Sequence, residues 1–84
     1  MATFSPSVHT PANAADYIHK MRHGAKGSHT HFGFTGTVDG VEVWGAFRWL
    51  VGSPVRTDLY APGMTAEQRR AVWRWFAEQV RANP

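Results

Sequence analysis

Four histidines fall in two pairs whose spacings suit two kinds of backbone. His19 and His23 are four residues apart and would share one face of a helix; His29 and His31 are two apart and would share one face of a strand. Imidazole nitrogens ligate zinc at about 2.0–2.1 Å. His19, His23, His29 and His31 are therefore the residues that would hold a metal if the two elements brought them together. Solvated polar faces meet the same pattern, and a protonated histidine near a helix C-terminus is favourable without any ligand, so no cofactor is expected. Between the pairs lies Lys26-Gly27-Ser28. A basic, glycine-containing loop can hold a phosphate through backbone N–H groups and a lysine, although the GxxxxGK[ST] spacing of a P-loop is absent. The carboxylates Asp16, Asp39, Glu42, Asp58, Glu67 and Glu78 form no pair that spacing alone would bring together. Ser28 has only His29 beside it, with no third group to orient a base. General acid–base and nucleophilic catalysis are thus not supported, and a non-enzymatic protein is expected.

The stretch Lys26-Gly27-Ser28-His29 resembles the Lys-Gly-Ser-His signature of the HicA-type toxin ribonucleases. Those are small proteins with a double-stranded-RNA-binding-like helix–three strands–helix fold, in which the motif histidine acts in RNA cleavage. The resemblance covers Lys26 to Phe32 and the coarse order of elements. It implies His29 as the catalytic residue and Lys26 as a phosphate contact, with Arg48 available to the same RNA. The chain departs from that family in two places. The family has a strand between the first helix and the motif, where this chain has a short loop. It also has a Pro-x-His segment after the hairpin, which nothing between Val51 and Pro62 matches.

Composition narrows the classes further. No cysteine is present among the 84 residues, which excludes disulfides, Cys-ligated zinc and thiol catalysis and fits a reducing, cytoplasmic setting. Hydrophobic residues make up 43% and aromatic ones 13%, which argues against disorder. A chain of this length buries only about 60% of the surface that it exposes when unfolded, so good packing matters. No basic stretch followed by an apolar run marks a signal peptide at the N-terminus, and no run approaches the ~18 apolar residues of a membrane span. The formal charge of +3 permits an RNA or an acidic protein as partner without requiring either.

The elements that would position these residues can be read in order. Residues 1–9 carry Ser, Thr and Pro without periodicity and read as an N-terminal tail or an edge extension. Residues 10–84 read as a single domain. Thr10 before Pro11 suits an N-cap followed by proline in the first turn. Ala14, Tyr17, Ile18 and Met21 then recur at helical spacing, and Gly24 suits a stop, so a helix is predicted over Pro11–His23. Asp39-Gly40 favours a two-residue type I′ hairpin. Pairing Val38 with Val41 sets Phe34 opposite Gly45 and Phe32 opposite Phe47. It gathers Phe32, Phe34, Val38, Val41, Val43, Phe47, Trp49 and Val51 on one face, and a shift of one residue would scatter that set. Val55–Tyr60 alternates again and reads as a short edge strand with Pro54 at its start. Thr65 and Gln68 form a capping-box pattern ahead of a helix whose apolar stripe is Val72, Trp73, Phe76 and Val80, with Trp75 on its flank. Arg70, Arg74 and Arg81 fall on the opposite side, near Glu78. The expected architecture is an α+β two-layer sandwich of αβββα order, a three-stranded antiparallel sheet with both helices on one face.

That arrangement leaves the other sheet face open. By parity it carries His29, His31, Gly33, Thr35, Thr37, Glu42, Trp44, Ala46, Arg48 and Leu50. Tryptophan and arginine are enriched where proteins bind one another, and an aromatic on an open sheet can also stack on bases. The expectation is a small macromolecule-binding domain. A protein partner is preferred, and the role would be that of an inhibitor or accessory factor of the size found in phages and mobile elements. The site would comprise Trp44, Arg48, His29, His31 and Lys26. An RNA-binding or RNA-cleaving protein is the alternative, and a histidine-based metal protein is a third. The bland alternatives for Trp44 are a cover made by the N-terminal tail or a homodimer packed through the open face.

Overall fold

The hairpin turn sets the geometry of everything around it. In the computed structural model, which describes residues 2–52 and 57–84, Asp39 and Gly40 have φ of 50° and 82°. A type I′ turn needs positive φ at both central positions. Strand β2 (His29–Val38) enters the turn and β3 (Val41–Leu50) leaves it. Their register runs from Val38↔Val41 to His29↔Leu50, with Phe34 opposite Gly45 and Phe32 opposite Phe47, as the pattern predicts. Phe32, Phe34, Val38, Val43, Phe47 and Val51 are buried, and Trp49 packs against them. Val41 is the exception: it is exposed. Its cross-strand neighbour Val38 is flanked by another strand, whereas on its own side the next strand reaches only residues 46–48.

Among the described residues the sheet has four strands rather than three. Phe4–Pro6 forms β1 and pairs antiparallel with β2, Phe4 opposite Val38 and Pro6 opposite Gly36. Asp58–Tyr60 forms β4 and pairs with β3, so the order is β1-β2-β3-β4. Of the two readings of residues 1–9, an N-terminal tail or an edge extension, Phe4–Pro6 takes the second as an edge strand. Phe4 is buried, with its ring edge-on to Phe34 at 5.7 Å. It also stands over Gly36, where an added Cβ would lie 2.7 Å from the Phe4 ring. An aromatic covering a cross-strand glycine fills space that no side chain of the glycine can fill. The same device recurs at Gly45, where a Cβ would lie 2.8 Å from the Phe34 ring. The predicted strand start at Pro54 and Val55 lies outside the described residues.

Helix α1 (Thr10–His23) carries Pro11 in its first turn. Thr10 is not its N-cap; His9 holds that position and makes no side-chain cap. The Thr10 hydroxyl lies instead 2.9 Å from the Ser7 hydroxyl and donates to the Thr35 carbonyl at 3.2 Å. The demand it meets comes from the edge of the sheet rather than from the helix. Helix α2 (Ala66–Ala82) begins on the full capping box, Thr65 Oγ1 accepting from Gln68 N and Gln68 Oε1 accepting from Thr65 N.

Both helices send side chains to the same face of the sheet. Tyr17 of α1 meets Phe32 at 4.9 Å, and Phe76 of α2 stacks on Phe47 at 4.5 Å. The two tryptophans of α2 exchange the roles predicted for them. Trp75 is buried and packs on Phe4 at 5.2 Å, while Trp73 is partly exposed with its edge on Phe47. Strand β1 causes the exchange, because Phe4 gives Trp75 a partner that a three-stranded sheet lacks. Three arginines tie elements together by donating to backbone carbonyls. Arg22 reaches Val80 and Asn83 at the end of α2, Arg69 reaches Leu59 and Ala61, and Arg74 reaches Ala2.

Candidate functional site

The outward face is built in rows by the strand register. Thr35 lies beside Trp44; Gly33, Ala46 and Tyr60 form the next row; His31, Arg48 and Asp58 form the one after; His29 and Leu50 close that end. Arg48 is the one lysine or arginine among these residues, and it is already engaged. It donates to Asp58 at 2.6 Å, and its guanidinium carbon stands 5.0 Å from the centroid of the Tyr60 ring. An exposed pair of this kind contributes little to stability. It does cancel the charge that an RNA backbone would use.

Trp44 is 59% exposed and Tyr60 48%, with Leu50 also exposed. Among the described residues the N-terminal segment lies beside Trp44 and leaves it exposed: β1 runs along β2, and Trp44 stands on β3. Open hollows flank the indole on both sides. One, of about 350 Å³, is shared with Ser7, His9, Thr10, Asn13, Gly33 and Thr35. The other, of about 540 Å³, runs along Ser5, Pro6, Thr37 and Glu42. The Ser7 and Thr35 hydroxyls between them are hydrogen bonded at 2.8 Å, which fixes the rim. Nothing in the hairpin pattern announces these hollows, because Ser5, Pro6 and Ser7 belong to a segment without periodicity outside the hairpin.

The other predicted site residues are placed apart from Trp44. Lys26, His29 and His31 are exposed at the far end of the hairpin. The Lys26-Gly27-Ser28 loop spends its backbone on the fold: Gly27 N–H donates to Val51 O at 2.7 Å and Ser28 N–H to Ala25 O at 3.1 Å. Those donors are unavailable to a phosphate. His19 and His23 lie together on α1, ring centroids 4.7 Å apart. Among the described residues no three histidine or acidic groups come together in a way that could hold a metal ion, so His19, His23, His29 and His31 are not joined into one site. Of the arginines predicted to form a stripe, Arg74 is committed to the Ala2 carbonyl. The Tyr17 phenol is held above its ordinary value. Burial raises its phenol pKa, the hydrogen bond to Thr57 works in the opposite direction, and the Asp58 charge raises it further.

Fold and face together define a small α+β protein whose antiparallel sheet is covered by helices on one side and bears an uncovered aromatic surface on the other. Compared with known protein families, curated proteins and solved structures, the chain matches none. The likeness of Lys26–Phe32 to the HicA-type motif thus rests on those residues alone. Among the described residues, no helix is long and apolar enough to cross a membrane.

Proposed function

We propose that this chain is a non-enzymatic protein-binding domain, an inhibitor or accessory factor, that takes its partner on the open sheet face around Trp44. The observation that carries the reading is an exposed indole on the bare face of the sheet, with a hollow on either side to receive partner side chains. An aromatic ring of this size offers about 150–250 Å² of area for burial, and tryptophan anchors are where binding energy concentrates. Tyr60 and Leu50 extend the apolar area along the same face. The charge balance favours a protein over RNA. A surface that binds phosphates keeps lysines and arginines free for them, whereas Arg48 is paired with Asp58 and Glu42 leaves an acidic group beside Trp44.

The test is Trp44→Ala. Wild-type protein immobilised from its native host should retain a protein partner that the variant does not. The variant's unfolding midpoint should stay within about 4 °C of wild type, the shift expected for a surface substitution in a domain of this size. A larger drop would make Trp44 part of the core and remove the reading. A retained partner that is RNA, released steeply as salt rises, would replace protein by nucleic acid on this face.

A further inference from the structure

Among the described residues, much of the outer edge of β2 has no strand beside it. In β2, the residues paired across the type I′ turn alternate, so the even-numbered ones exchange hydrogen bonds with β3 and the odd-numbered ones turn their N–H and C=O outward. Two contacts confirm the parity. Val51 N–H donates to Ser28 O at 2.8 Å, and the Thr35 carbonyl turns away from β3 to accept from Ser7 N–H at 2.9 Å. Strand β1 serves this outer edge only at Gly36–Val38, and Ser7 and Thr10 serve it at Thr35. From Gly33 back through His31 to His29, no strand lies alongside among the described residues. Natural edges are blunted by lysine, proline, a bulge or a covering element; this stretch reads His-Thr-His-Phe-Gly.

Beneath that edge lies a groove of about 290 Å³, walled on one side by Thr30, His31 and Gly33 and on the other by Asn13, Asp16 and Lys20 of α1. Asp16 and Lys20 are one helical turn apart, both exposed, and neither is in an ion pair among the described residues. Helix α1 runs opposite to β2, since Thr10 sits at Thr35 and Tyr17 at Phe32. A twofold axis that centres an antiparallel seam on His31 therefore passes near residue 18 of α1. It sets Asp16 of one chain against Lys20 of the other, twice.

We propose that two copies of this chain pair through the free edge of β2, His29–Gly33, into one continuous eight-stranded sheet closed beneath by reciprocal Asp16–Lys20 ion pairs. An interface of this type is self-complementary, as a twofold dimer requires, and its backbone bonds follow the strand-addition mode of recognition. It uses a different surface from Trp44 and leaves the open faces of both copies on the same side.

Sedimentation velocity on the intact protein tests it. Wild type should show twice the 9.4 kDa of the chain. His31→Pro removes the central outward N–H, which the lone chain does not use, and should give a folded monomer. Asp16→Lys should weaken association by about tenfold, and Asp16→Lys with Lys20→Asp should restore it, because the pairs are then exchanged. The charge variants lie on an exposed helix face and keep the test decisive should the proline variant fail to fold. A wild type that stays monomeric at millimolar concentration overturns the proposal, as does a charge swap that fails to restore pairing. A dimer that Trp44→Ala dissociates and folded His31→Pro does not would be a face-to-face dimer, which also overturns it.

Discussion

Phe47 and Trp44 stand three residues apart on β3 and occupy opposite surroundings. Phe47 is 0% exposed, stacked on Phe76 and Phe32 with Trp73 against its edge. Trp44 is 59% exposed and is flanked by hollows rather than rings. Of this pair on one strand, folding uses only Phe47. The pleat explains how both exist, because odd and even positions face different worlds. It does not explain why the second is aromatic, and that asymmetry is the argument for a partner.

The sharpest way to break the comparison is to truncate each ring. Phe47→Ala removes a ring that four other aromatics contact, and core phenylalanine truncations cost about 3–5 kcal/mol. In a domain this small that is much of the total stability, so chemical denaturation should show a variant that is largely unfolded or close to it. Trp44→Ala should leave the denaturation curve in place. If the two losses are similar, the outward face is not spare surface.

A second, smaller effect is expected where the sequence was hardest to read. Gly36→Ala places a Cβ against the Ser5 carbonyl and 2.7 Å from the Phe4 ring, so β1 must shift. Overpacking of this kind costs about 1–3 kcal/mol. Faster hydrogen exchange at the Thr37 and Ser7 amides would show that the loss is local to β1. Unchanged exchange there would mean that β1 is not held by this contact.

What was legible in the sequence follows from the range of each signal. The hairpin register could be read residue by residue, since a two-residue turn and a period-2 pattern leave no freedom to slip. Both helices could be read, because an apolar stripe over three or more turns averages out single exceptions. Strand β1 could not: three residues ending in Pro6 are too few for alternation to show. Its trace was Gly36, an unexplained gap on the apolar face that needed an aromatic from elsewhere, and Phe4 was the spare one. Missing Phe4 also reversed Trp73 and Trp75, since the helix rotates toward whichever sheet residues exist to be covered. The open face was legible in its membership but not in its electrostatics. The Arg48–Asp58 pair depends on the register of β4 across a connection that no turn motif fixes.

That pair supplies the smallest expected effect and the finest test of the two faces. Arg48 and Asp58 are 55% and 62% exposed, so water screens their attraction, and an exposed ion pair contributes about 0–1 kcal/mol. The contact with Tyr60 adds about 0.5–1 kcal/mol at an exposed site. Arg48→Ala should therefore lower stability by about 0.5–2 kcal/mol in low salt, with the difference shrinking as salt is raised. A loss several times larger would mean that water does not reach Arg48, and so that something covers the face in the free protein. Thermal melts of wild type and variant across a salt series decide this: convergence at high salt keeps the face open and available, and a salt-independent gap closes it.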